Sequence, residues 1–107
     1  MNKVYCFRIH VLQHNFSKIS KIIQLEPNDI NGWAYSFNEK EANYMNILDN
    51  ILTNISYLNK IENLRDKIEF WIYYEYENQC NLEFDPVLLQ KLGNIGCTLC
   101  ISCWDKN

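Results

Sequence analysis

The chain has 107 residues, 48 % of them apolar and 14 % aromatic, which is enough for one folded domain with a real core and too rich for a disordered chain. A net charge of −3 supplies no basic field for a phosphate backbone. No apolar run approaches the roughly 20 residues that span a bilayer.

In chain order, Val4–Val11 (VYCFRIHV) is rich in β-formers and alternates, with Tyr5, Phe7, Ile9 and Val11 on one face and Cys6, Arg8 and His10 on the other. Phe16-Ser17 is expected to open a short helix with Ser17 as its N-cap, Ile19, Ile22 and Ile23 as the buried stripe, and Pro27 as the stop. A turn cluster, Asn28–Gly32, precedes a short strand, WAYSF (Trp33–Phe37). From about Lys40 to Asn63, Tyr44, Leu48, Ile51, Ile55 and Leu58 recur at helical spacing, joined by Ile47, Leu52 and Ile61, and predict a long amphipathic helix.

Ile68–Tyr76 (IEFWIYYEY) reads as a strand, with Ile68, Phe70, Ile72, Tyr74 and Tyr76 on one face and Glu69, Trp71, Tyr73 and Glu75 on the other. Asp85-Pro86 is an N-cap followed by proline at the first helical position; the helix is expected to turn Val87, Leu88 and Leu92 inward and to end near Gly93. CTLCISCW (residues 97–104) forms the last strand. The expected fold is α+β across residues 1–107: a two-layer sandwich of one four-stranded sheet with helices on one face, made of two similar β-α-β units joined by a long helix. Strand order and strand direction stay open.

Cys97, Cys100 and Cys103 stand at every third position, a spacing shared with iron–sulfur and thioredoxin-like segments. In an extended strand, however, a CxxC pair points to opposite faces, and redox CxxC motifs sit instead at helix N-termini. Cys97 and Cys103 are therefore expected to act as small core hydrophobes, with no metal and no cofactor, leaving Cys6, Cys80 and Cys100 as exposed thiols. Five cysteines, an odd number, and an N-terminus without a signal-peptide pattern point to free thiols in a reducing cytoplasm.

Nothing in the sequence nominates a catalytic residue. Only His10 and His14 could serve as bases; the paired carboxylates Glu39/Glu41, Glu75/Glu77 and Glu83/Asp85 sit in no recognisable acid/base or metal motif, and no phosphate-binding loop or nucleophile motif is present. A non-enzymatic role is expected. The sheet face turned away from the helices is more informative, since alternation gives it Arg8, His10, Trp71, Tyr73, Glu75 and Trp104, side-chain types enriched at binding hot spots.

The order FRI (7–9), LEP (25–27), GWAYSF (32–37), a long helix, IEF (68–70) and FDPVLLQKLGNIGCTLCIS (84–102) resembles a family of small bacterial domains catalogued as domain of unknown function 4279. The chain departs from it at NDIN (28–31), where that family carries a longer polar stretch. The resemblance implies no catalytic role and is compatible with an immunity protein. The expected function is a protein-binding domain that occludes a cognate toxin, such as a basic nuclease of the contact-dependent growth inhibition type. Glu69, Glu75, Glu77, Glu83 and Asp85 would be its acidic contacts, Trp71 and Tyr73 its anchors, with Trp104 and Arg8 beside them. The alternative is a small-ligand or single-stranded nucleic-acid module using the same open sheet, although nucleic acid suits the negative charge poorly.

Overall fold

The structure, a computed structural model, describes residues 2–106, the side chain of residue 2 excepted. Among them run β1 (Asn2–Ile9), a 3-10 turn (Gln13–Asn15), α1 (Phe16–Ile23), β2 (Trp33–Phe37), α2 (Tyr44–Ile61), β3 (Ile68–Tyr76), α3 (Pro86–Ile95) and β4 (Thr98–Asp105). The strands form one sheet in the order β2-β1-β3-β4. The two β-α-β units pair their strands differently. β3 and β4 are parallel, joined through α3, whereas β1 and β2 are antiparallel. That difference follows from the connection: after α1 the chain makes a second, non-helical pass through residues 24–32 before β2 begins.

One face of the sheet carries the core. Tyr5, Phe7 and Ile9 of β1, Trp33 and Phe37 of β2, and Ile68, Phe70, Ile72 and Tyr74 of β3 are buried in one cluster. Facing them are Ile19 and Ile23 of α1, Ile47, Leu48, Ile51 and Leu58 of α2, and Leu88, Leu92 and Ile95 of α3. The result is a two-layer α+β sandwich. Aromatic rings fill its centre, with the Phe7 and Phe70 centroids 4.8 Å apart and Tyr5 stacked on Phe70 at 5.7 Å. Trp33, fully buried, satisfies its indole by donating from Nε1 to Ser20 Oγ of α1 at 2.9 Å. Glu62, at the end of α2, accepts from the Leu12 backbone N–H (2.8 Å) and from Nδ2 of the buried Asn15 (2.6 Å), so it holds the 3-10 turn against the helix layer.

Several local expectations shift. Ser17 does not cap α1: it lies inside the helix, whose cap position is Asn15, without a side-chain cap hydrogen bond. The 3-10 turn leads directly into the helix, and the Asn15 amide is already engaged by Glu62. Pro27 does not stop α1 either, because Gln24 takes a left-handed conformation (φ 63°) and ends the helix three residues earlier. The long helix begins at Tyr44 instead of Lys40. Asn38 Oδ1 accepts from the Lys40 and Glu41 amides in a turn, and Asn43 Oδ1 then caps α2 through Met45 N–H at 2.9 Å. β1 ends at Ile9, so Val11 lies beyond the strand.

α3 starts as expected, with Asp85 Oδ1 accepting from Val87 N–H at 2.8 Å, but it runs through Gly93 to Ile95. Gly96 (φ +78°) then takes the left-handed position that glycine enters without strain. Val87 is half exposed and Ile95, not Val87, completes the buried stripe. The outer edge of β2 is covered by its own connection. Asn28 Nδ2 donates to Ser36 O (2.9 Å), Asn28 Oδ1 accepts from Ser36 N–H (2.7 Å), and the Asn28 and Asp29 amides both donate to Ala34 O.

Candidate partner-binding surface

Alternation turns the even-numbered residues of β1 and β2, the odd-numbered residues of β3 and the even-numbered residues of β4 away from the helices. The strand register arranges them in rows across the open face. Ala34, Arg8, Glu69 and Thr98 form one; Ser36, Cys6, Trp71 and Cys100 the next; Val4, Tyr73 and Ser102 a third; Glu75 and Trp104 a fourth. The sequence-nominated Arg8, Glu69, Trp71, Tyr73, Glu75 and Trp104 are thus brought onto one surface.

Glu69 organises the lower half of that surface. Its Oε1 accepts from Trp71 Nε1 at 3.0 Å and meets His10 Nε2 at 2.9 Å. The Trp71 indole N–H is the main influence holding the Glu69 carboxyl below the usual range; partial burial opposes it, and His10 and Arg8 add to it. These bonds fix the Trp71 ring, which stacks on Tyr73 with centroids 5.6 Å apart and planes 9° from parallel. Preset rings lose less side-chain freedom when something docks on them. Arg8 lies in the same row as Glu69, its Nε buried with no hydrogen-bond partner.

Beyond the stacked pair the surface dips. A hollow of about 290 Å³ is lined by Lys3, Val4, Asn38, Tyr73, Glu75 and Trp104. Trp104 is 44 % exposed and Val4 39 %, so an aromatic–aliphatic floor stands open to solvent beside a carboxylate. Lys3, Val4 and Asn38 are absent from the sequence-derived set. Val4 was legible, since its even number places it with Cys6 and Arg8; Asn38 follows β2 and is brought in by the strand order alone.

The remaining acidic residues lie apart from this face. Glu77 and Glu83 are exposed on the connection between β3 and α3, where Glu77 Oε1 stands 3.5 Å from Lys106 Nζ. Asp85 is committed to capping α3 and lies beside Glu39, Asn43, Tyr44 and Met45, away from Trp71.

The thiols depart from expectation in three places, one being Cys100, which is half-buried on the open face and not an exposed thiol. Cys6 is fully buried, flanked in its row by Ser36 and Trp71, and is not an exposed thiol. Cys103 is exposed and not a core residue, because β4 is the outermost strand and its far end carries no buried position. Cys97, just before β4, is half-buried and packs against the core as expected. Burial pushes its thiol up to about 12, with the Cys100 and Glu69 charges adding to the effect. Burial raises the Cys6 and Cys100 thiols as well. His10 meets Glu69 and not a thiol. Among the described residues no three His, Cys, Asp or Glu side chains gather as a metal ion requires, and no helix is long and apolar enough to cross a membrane. Comparison with known proteins returns no matching family model, no matching curated protein and no matching solved structure.

Proposed function

We propose that this chain is a non-enzymatic protein-binding domain that works as an immunity protein, covering the active surface of a basic toxin with its open sheet face. The family resemblance stated from the sequence belongs to the same proposal. One observation carries it: Trp71, Tyr73 and Trp104, with the Glu69 and Glu75 carboxylates, share a surface that no helix covers. Aromatic anchors ringed by carboxylates suit a partner whose binding face is apolar at its centre and cationic at its rim. Occlusion follows from size alone, since a sheet face laid over a catalytic cleft excludes substrate without any chemistry.

Co-expression with a toxin-like reading frame encoded beside this one tests the proposal. The expected result is relief of toxicity and co-purification of the two chains. Trp104→Ala, which truncates an exposed side chain, should weaken the complex by about 30-fold, the effect of losing a hot spot worth ~2 kcal/mol, and leave the unfolding midpoint unchanged. Continued toxicity without co-purification overturns the reading, and salt-sensitive RNA binding by the isolated chain would replace it.

A further inference from the structure

We propose that the hollow beside Trp104 is the seat for an arginine side chain on the surface of the protein partner, held by one carboxylate between two aromatic rings. That assignment rests on the reading of the open sheet face as the partner-binding surface, and it adds which group of a basic partner the surface takes. The strand register builds the seat. Val4 and Tyr73 lie side by side in one row and Glu75 and Trp104 in the next, so carboxylate and indole rise from adjacent positions of β3 and β4 on the same face. Trp71 covers one side of the Tyr73 ring, the two planes lying 9° from parallel. Trp71 precedes Tyr73 along β3 and Glu75 follows it, which leaves the other side of the Tyr73 ring to the hollow. Trp104, 44 % exposed, supplies the second ring.

Charge selects the sign of the occupant. Among the described residues Glu75 has neither an ion pair nor a hydrogen-bond partner. Lys3 also borders the hollow, but its parity puts its side chain on the helix-facing side, where Nζ stands 5.6 Å from the centre of the Tyr74 ring. Just beyond, Glu77 and Lys106 balance each other at 3.5 Å. Glu75 is thus the uncompensated charge of the hollow, and the faces of aromatic rings attract cations as well.

Size and shape select among cations. About 290 Å³ falls at the lower limit of the roughly 300–1,000 Å³ typical of small-molecule sites, which suits one long side chain. A nucleotide of that size would bring phosphates against the Glu75 carboxylate. A guanidinium is planar and weakly hydrated, stacks on rings and bonds a carboxylate through its fork, whereas a lysine ammonium is a strongly hydrated point charge. Asn38 gives the seat a fixed rim, because its Oδ1 already accepts from the Lys40 and Glu41 amides. One cationic anchor beside the Trp71–Tyr73 stack sets the partner's orientation as well as its attraction.

The test titrates the isotope-labelled protein with N-acetyl-arginine methylamide and with its lysine and citrulline counterparts, read by amide and indole NMR shifts. The arginine compound should move the Trp104 indole and the Tyr73 and Glu75 amides with a dissociation constant of ~1–10 mM, the range of a single anchored side chain. Lysine should bind more weakly, and citrulline, the uncharged isostere, about tenfold more weakly. Glu75→Gln should cost about tenfold for arginine and nothing for citrulline. Glu26→Gln, which removes the same charge from the exposed connection before β2, should change neither. Equal binding of arginine and citrulline overturns the proposal, as do equal losses in the two variants, shifts confined to other residues, or no saturable shift in the millimolar range. No toxin enters this assay, so the two readings fail separately. A chain that neutralises its toxin but ignores arginine loses only the seat, and one that seats arginine but leaves the toxin active loses only the immunity role.

Discussion

Replacing Ser20 by alanine tests how the buried tryptophan is held. Trp33 has no exposed surface and Ser20 has 5 %, and the indole N–H donates to the Ser20 hydroxyl at 2.9 Å. Removing the hydroxyl leaves that donor buried without an acceptor, a loss of ~1–3 kcal/mol. For a domain of this length that lowers the melting midpoint by roughly 4–8 °C per kcal/mol. Trp33→Phe removes the donor and leaves a void, so it costs a packing penalty below the ~3–5 kcal/mol of truncation to alanine. It creates no orphan on α1, because a helical serine can turn its hydroxyl to the carbonyl four residues back. Once the indole is gone, Ser20→Ala has nothing to orphan. The double variant should therefore be no more than ~0.5 kcal/mol less stable than Trp33→Phe alone, with a coupling of ~1–2 kcal/mol. Urea unfolding followed by far-UV circular dichroism on all four proteins measures the cycle. A Ser20→Ala cost under ~0.5 kcal/mol, or an equal cost in both backgrounds, refutes the reasoning.

The Glu69 carboxyl titrates below its ordinary 4.5 in the folded chain, so its contribution is fully present above that pH and is lost as pH falls through the folded value. Glu69→Gln, which keeps an acceptor for Trp71, should cost less than about 1 kcal/mol at pH 7 because the pair is partly solvated, and the gap to the parent should narrow as pH falls below the ordinary glutamate range in urea titrations. Gly96→Ala meets no atom within 4 Å, so only the left-handed φ of +78° opposes it. A loss of about 1 kcal/mol is expected by the same assay, and a neutral result would contradict the backbone argument. Asp85→Ala removes the cap on Val87 and should lower stability by about 1 kcal/mol, whereas Asp85→Ser should restore most of it.

The strands were legible wherever a single pattern governed them. β2 and β3 occupy the ranges that alternation and β-branched content predict, because each has one buried face that fixes its register. The Asp85-Pro86 cap was equally readable, since both signals act on adjacent residues. Helix starts near Ser17 and Lys40 were misread for a shared reason. The amides there are engaged by a 3-10 turn and by the Asn38 side chain, two alternatives that compete with helix on equal local chemistry. The rows of the open face follow from alternation within each strand, but their alignment follows from strand order, which no local pattern encodes. Cys103 shows the consequence. Its place on the helix-facing side of β4 is a matter of parity, and its exposure is a matter of β4 being outermost.

The Asn28 side chain lies along β2 as a single peptide unit would, giving one donor and accepting one, while two main-chain amides fill the neighbouring carbonyl. That margin of the sheet is closed to recruitment of a foreign strand. Growth of stacked sheets into a fibril needs two open margins per molecule, since each unit must both receive and offer. A chain with one margin sealed ends any such assembly at a pair. A single asparagine in a turn thus supplies half of the seal that sets a ceiling on polymerisation, the main-chain amides of residues 28 and 29 supplying the rest.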